Sequence, residues 1–308
     1  MTDDLRPGPG PEPGDEREEE TEPGKGAGRL VARFFLVPLL VVATAVGIFL
    51  LVNLMTFERR SPREYLQEVR SGGPNRRWQA AFELSRSIGS MPEGVEKEAL
   101  AAETLRVFQT LSPKREEDIP VRRYLALVLG KLGDEAAVPA LLDASRDPDP
   151  ETRLYAVWSL GLLGDPRAFE AALEATHSAD PGMRKMAAYV LGKLDDLRAA
   201  PRLEVLLDDR VADVRWNSAI ALASLGDPAG LAVLRSIVDR QTLGRQAALT
   251  SDQAEAAMVN ALKAFALLKD RESLPLLEKV AREDPNLRVR AAARQAVEAT
   301  RGGGEAQP

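Results

Sequence analysis

The chain has 308 residues, no cysteine, one histidine and a formal charge of −6. That inventory excludes disulfides, thiolate metal sites, cysteine nucleophiles and multi-histidine metal cages, and it leaves Ser-His catalysis a single candidate base, His177. Aromatic residues make up only 5% of the chain, and Ala, Leu, Arg and Glu dominate, a composition suited to packed helices rather than sheets.

The charge is unevenly placed. Residues 1–33 hold nine acids and five bases, whereas the remainder is almost balanced, with 38 acids and 36 bases. A nearly neutral body lacks the positive surplus that phosphates demand, so no nucleic-acid partner is expected. Nothing in the inventory calls for a cofactor or a metal.

Residues 1–28, "MTDDLRPGPGPEPGDEREEETEPGKGAG", are rich in Pro, Gly and Glu and are predicted to be disordered. Residues 29–60 read as a transmembrane helix with basic flanks. The 24 residues Phe34 to Phe57 carry no charge, with Arg29 and Arg33 before them and Arg59 and Arg60 after. At the helical rise they extend about 36 Å, enough to cross a hydrocarbon core with some tilt. A cleaved signal peptide would have a shorter apolar region nearer the terminus, and a buried core helix would show a polar face. Within about 20 residues of each end, Lys and Arg number four before the span and six after it, which favours a cytoplasmic body. A basic cluster followed by one apolar run is also the pattern of a signal anchor, which would export it.

Beyond the span, one phrase recurs. "VRRYLALVLGKLGD", "TRLYAVWSLGLLGD", "MRKMAAYVLGKLDD" and "VRWNSAIALASLGD" begin at residues 121, 152, 183 and 214. Apolar residues at positions one, five, eight, nine and twelve, such as Val121, Leu125, Val128, Leu129 and Leu132, mark one face of a helix. Each phrase closes on Gly133-Asp134, Gly164-Asp165, Asp195-Asp196 or Gly226-Asp227. The glycine suits a left-handed helix end, and the aspartate can cap the short helix that follows. A pair of helices this small cannot bury its own apolar face, so neighbouring pairs must stack. The expected fold is all-α, a solenoid.

The succession of a short helix, a Pro-Asp turn ("RDPDPETR", "SADPGMR") and then V-R-x-x-A-A-x-x-L-G-x-L-G-D resembles HEAT repeats, in particular the subclass named after phycobilisome lyases. The resemblance is strongest over residues 113–240. It implies about seven helix pairs over residues 61–300, a C-terminal tail at 301–308, and a concave surface lined by the second, V-R helix of each pair. It also implies that the column Arg77, Arg122, Arg153, Arg184, Arg215 and Arg290 bonds to turn carbonyls and aspartates of adjoining repeats, with Asp147, Asp149, Asp180 and Asp213 placed as partners. Met258 stands where the sixth arginine is expected.

The third, seventh and eleventh positions of the V-R helix lie four apart and share a stripe. They read Arg123, Leu127 and Lys131, then Leu154, Trp158 and Leu162, then Lys185, Tyr189 and Lys193, then Trp216, Ile220 and Ser224. Trp78 and Phe82 hold the corresponding positions upstream, and the fourth position adds Tyr124, Tyr155 and Met186. Large amphipathic rings so placed either bind a partner or fill gaps between successive helices. The candidate partner-binding residues are Leu127, Leu154, Tyr155, Trp158, Leu162, Lys185, Tyr189, Lys193, Trp216 and Ile220.

His177 ends a short helix and reads as a charge complement there. The pairs Asp195-Asp196 and Asp208-Asp209 sit at turns, where caps belong, so catalysis has little support. Residues 241–251 break the 31-residue spacing and read as an edge loop, either tolerated or functional. The expected role is a membrane-anchored scaffold whose concave face holds a membrane-associated protein or peptide. The resemblance implies an alternative, a bilin lyase-type factor for chromophore attachment or removal.

Overall fold

The computed structural model describes residues 32–56, 60–91, 93–246 and 249–302, which fall into two units divided after Arg59. All regular structure among these residues is helical. The segment 1–28, expected to be disordered, lies outside the described residues. So does residue 57 of the apolar run.

The first unit is the helix α1 (Val37–Thr56), preceded by a wider π turn over Ala32–Leu36. Pro38 has no amide hydrogen to donate one turn back, and a local π turn is one way for a helix to take up such a defect. The stretch Phe34–Leu51 is long and apolar enough to cross a membrane, and none of it is buried. Its one hydroxyl, Thr44 Oγ1, donates to the Leu40 carbonyl at 2.7 Å, so it needs no water.

The second unit is a stack of seven helix pairs: α2 (Pro62–Ser71) with α3 (Pro74–Ser87), α4 (Val95–Thr110) with α5 (Ile119–Leu132), α6 (Val138–Ala144) with α7 (Pro150–Leu163), α8 (Phe169–Ala175) with α9 (Pro181–Lys193), α10 (Ala200–Leu206) with α11 (Ala212–Ser224), α12 (Leu231–Val238) with α14 (Ser251–Leu268), and α15 (Leu274–Glu283) with α16 (Leu287–Gly302). One additional helix, α13 (Arg240–Gln246), sits inside the sixth pair. The second helices α3, α5, α7, α9, α11, α14 and α16 pack on one another in that order. Each first helix from α4 onward packs on the second helix of its own pair. The fold is the all-α solenoid expected from the repeat.

Local chemistry explains each joint. Gly133, Gly164 and Gly226 end their helices with φ of 77°, 66° and 75°, where a side chain is disfavoured. Asp195 (φ 53°) and Lys269 (φ 52°) occupy the equivalent positions without that freedom. One residue later, the carboxylates of Asp134, Asp165, Asp196, Asp227 and Asp270 each accept an amide hydrogen two residues on, capping the 3₁₀ turn that opens the next first helix. The predicted apolar stripe is the core: Leu129, Leu160, Leu191, Leu222 and Phe265 at the ninth position are all essentially inaccessible.

The tenth position shows why the second helices pack so closely. A Cβ on Gly130 would lie 2.4 Å from the Ser159 side chain, one on Gly161 would lie 2.6 Å from Val190, and one on Gly192 would lie 2.7 Å from the Ala221 Cα. Each glycine thus admits the eighth-position residue of the following repeat. Ser159 uses the approach to donate to the Ala126 carbonyl of the previous helix at 2.8 Å.

The insertion is more ordered than the edge loop expected from its sequence. Its first part is α13, whose Leu243 is buried in the same cluster as Trp216, Met258 and Phe265. Residues 247–248 lie outside the described residues.

Candidate binding surface on the second helices

Five of the column's six arginines bond within the scaffold, although two of their carboxylate partners differ from those expected, and the buried Nε of Arg290 has no hydrogen-bond partner. Arg122 donates to Asp147 at 3.0 and 2.7 Å and to the Leu111 carbonyl. Arg184 makes a two-pronged bond to Asp209 at 2.7 and 3.0 Å and also donates to the Ser178 and Ala179 carbonyls. Arg77 pairs with Asp118 at 3.0 Å. Where the partner site is not a carboxylate, only carbonyl bonds remain: Arg153 donates to Asp147 and Pro148, and Arg215 to Asp209.

The aspartates expected to serve this column divide their work. Asp147 joins it, but Asp149 receives Arg123 through two bonds of 2.7 Å, and Asp213 receives Lys185 at 3.2 Å. Asp180 caps α9. Asp149 also caps α7 by accepting from Thr152. Burial pushes its carboxyl up, but the bonds from Arg123 and Thr152 prevail and hold it at about 2, below the ordinary 3.8. In the sixth repeat Met258 is buried and offers no guanidinium. Arg240 of α13 supplies one instead, gripping Asp284 at 2.7 and 2.8 Å. The helix α13, which begins one residue before the insertion, therefore completes a ladder that its own repeat lacks.

The candidate partner-binding residues fall into three groups. Leu127 and Trp216 are only 8% and 5% exposed and present almost no surface, because neighbouring helices close over them. Leu154, Tyr155, Tyr189 and Ile220 are half-buried against the core clusters. Tyr155 follows Tyr124 at 6.3 Å between ring centres, and Tyr124 meets Phe82 edge-on at 5.2 Å. These three rings fill the gaps between α3, α5 and α7. Burial raises the Tyr155 hydroxyl above its ordinary value. Trp158 is half-buried but belongs to none of the buried clusters. Leu162 is 42% exposed, and Lys185 and Lys193 reach solvent.

Tyr189, Lys193 and Ile220 come together in a groove of about 250 Å3 between α9, α11 and α14, with Asn217, Asn260, Lys263 and Leu267 completing its wall. Lys193 lies over the Tyr189 ring, 5.9 Å from its centre. The α14 members are absent from the sequence candidates because the stripe is read there from the four strictly spaced phrases and the upstream copy, although Met258 already marks the register of this one. Aligned on the left-handed residue Lys269, Lys263 and Leu267 are the seventh and eleventh positions of the same stripe, so the signal was present once the insertion is discounted.

A family model described as HEAT repeats matches residues 108–181 and 169–251. Among solved structures, the complex of CpcE and CpcF of phycocyanin lyase from Nostoc sp. PCC7120 is similar at 20% identity and a TM-score of 0.54, over 79% of this chain and 96% of that one. YibA of Escherichia coli aligns at 14% identity and a TM-score of 0.48, over 76% of this chain and 81% of its own. Human deoxyhypusine hydroxylase in complex with glycerol aligns at 17% identity and 0.34, over 78% and 96%. No curated protein matches the sequence. The described residues from 60 onward form an α-solenoid whose stretch 108–251 matches HEAT repeats, and its likeness to the phycocyanin lyase complex is one of fold.

Proposed function

We propose that this chain is a membrane-anchored scaffold that holds a protein or peptide partner on the face of its second helices. The observation that carries the reading is the groove between α9, α11 and α14. There Tyr189, Ile220 and Leu267 offer apolar surface beside the amides of Asn217 and Asn260 and the ammonium groups of Lys193 and Lys263, neither of which has a carboxylate partner among the described residues, and Trp158 and Leu162 stand on α7 beside it. Most other side chains of the face serve the scaffold through core contacts or ion pairs. α1 supports the anchor, because an unburied apolar helix of this length gains by entering hydrocarbon. Confinement at a bilayer raises the effective concentration of a membrane-associated partner, so modest intrinsic affinity suffices. The charge balance around the span favours a cytoplasmic solenoid, which a topology reporter fused to Pro308 checks. A scaffold of this kind is not an enzyme, and a shared fold transfers no bilin chemistry from CpcE and CpcF.

Crosslinking in native membranes tests the reading. Trp158→Ala combined with Tyr189→Ala should remove about nine-tenths or more of the crosslinked partner, as for the loss of two aromatic anchors. Helical content should be unchanged. Undiminished capture would rule out the second-helix face.

A further inference from the structure

We infer that the groove between α9, α11 and α14 selects an acidic peptide segment, one that places a carboxylate between Lys193 and Lys263 and an apolar side chain against Ile220 and Leu267. The inference rests on the proposed binding role of this face and names the chemistry of its partner.

The cations of the second-helix stripe differ in how they are used. Arg123 is consumed by Asp149 and Glu151. Lys131 donates to the Ser85 carbonyl, and burial lowers its proton affinity. Lys185 is paired with Asp213. Lys193 and Lys263 differ: both are exposed, both line the one groove, and neither is paired with a carboxylate among the described residues. No Asp or Glu contributes to the groove wall. Two ammonium groups sharing a recess without a counter-charge repel each other, and an incoming carboxylate relieves that repulsion.

The remainder of the wall restricts the occupant further. Leu267 is 60% exposed, although it stands on a well-packed helix, and Ile220 and the Tyr189 ring lie beside it. Asn260 offers an amide with free donors and acceptors. Asn217 spends one donor on the Asp213 carbonyl at 2.8 Å and keeps its acceptor. An amide pair beside an apolar floor suits a peptide, whose backbone needs both donors and acceptors. An anionic lipid headgroup would satisfy the lysines but brings no apolar side chain to the Ile220 and Leu267 surface. A segment with alternate acidic and apolar side chains satisfies every group.

The test uses the full-length protein in phosphatidylcholine nanodiscs. The probe is a fluorescent peptide of about eight residues in which glutamate and leucine alternate, as an extended segment requires. Its all-glutamine and all-lysine analogues and vesicles containing phosphatidylserine serve as comparisons. The glutamate peptide should bind about tenfold or more tightly than the glutamine analogue, and rising salt should narrow the difference. Lys193→Glu with Lys263→Glu should reverse the preference toward the lysine peptide. Both side chains are exposed, so folding is preserved. Equal binding of the glutamate and glutamine peptides, an unchanged preference after charge reversal, no peptide binding, or lysine-dependent binding of the vesicles alone would each overturn the inference. If crosslinked capture still requires Trp158 and Tyr189 while charge reversal changes nothing, the acidic chemistry falls and the binding face stands. If capture ignores Trp158 and Tyr189, the binding face itself falls.

Discussion

Lys269 and Asp195 show how much a single backbone angle matters in a repeat. Both adopt the left-handed conformation that glycine supplies at three equivalent helix ends. Aspartate tolerates it better than lysine, because its short side chain bonds locally. Lys269→Gly should therefore raise stability by about 0.5–1 kcal/mol, read as a higher midpoint in thermal unfolding by circular dichroism. Asp195→Gly should gain less.

Asp149 works at the same scale through its charge. Its folded carboxyl titrates at about 2 against an ordinary 3.8, so the ionised form is favoured by folding. Its contribution of about 2 kcal/mol is complete above the unfolded value and disappears as pH falls from 3.8 toward 2. Asp149→Asn can keep the helix cap but loses the Arg123 pair. The variant should be less stable than wild type by roughly this amount near pH 7, with the gap closing near pH 2, as followed by urea denaturation. A gap independent of pH would show that the cap, not the charge, carries the effect.

Between elements, distance of approach decides. Gly192→Ala places a methyl 2.7 Å from the Ala221 backbone, so α9 and α11 must separate, costing about 1–3 kcal/mol. Gly244→Ala in α13 meets nothing within 4 Å and should instead stabilise by about 0.5–1 kcal/mol, because glycine is a poor helix former. Parallel denaturation curves moving in opposite directions would confirm that the phrase glycines serve packing. The insertion belongs to this scale too. Arg240, just before it, replaces a missing ladder arginine, and Leu243 is buried in the core, so the segment expected to be a loop is tied down at its start.

For the whole molecule, two designs are joined in one chain. The solenoid derives its stability from neighbour-to-neighbour contacts, and α1 has no apolar surface to cover it within the described structure. Gently lysed cells should therefore retain the full-length protein in the membrane pellet after a carbonate wash. Deleting residues 29–60 should move it to the supernatant with its helical signal intact. A full-length protein found in the supernatant would remove the anchor from the proposed function.

The sequence by itself determined the helical solenoid, the number of its pairs and the residues that join the four regular repeats. Those features depend on local periodicity, on glycine at positive φ and on aspartate at a helix start, all of which act within a few residues. Only the tertiary structure decided which members of the stripe reach solvent. Trp216 and Leu127 satisfy the same spacing as Tyr189 and Lys193, yet neighbouring helices close over the first two, and burial is set by residues far along the chain. The same holds for the pairing of Arg184 with Asp209 and Lys185 with Asp213, and for the groove that unites α9 with α14. Side chains more than sixty residues apart meet there because the helices stack, a relation that spacing along the chain encodes only after the insertion is folded away.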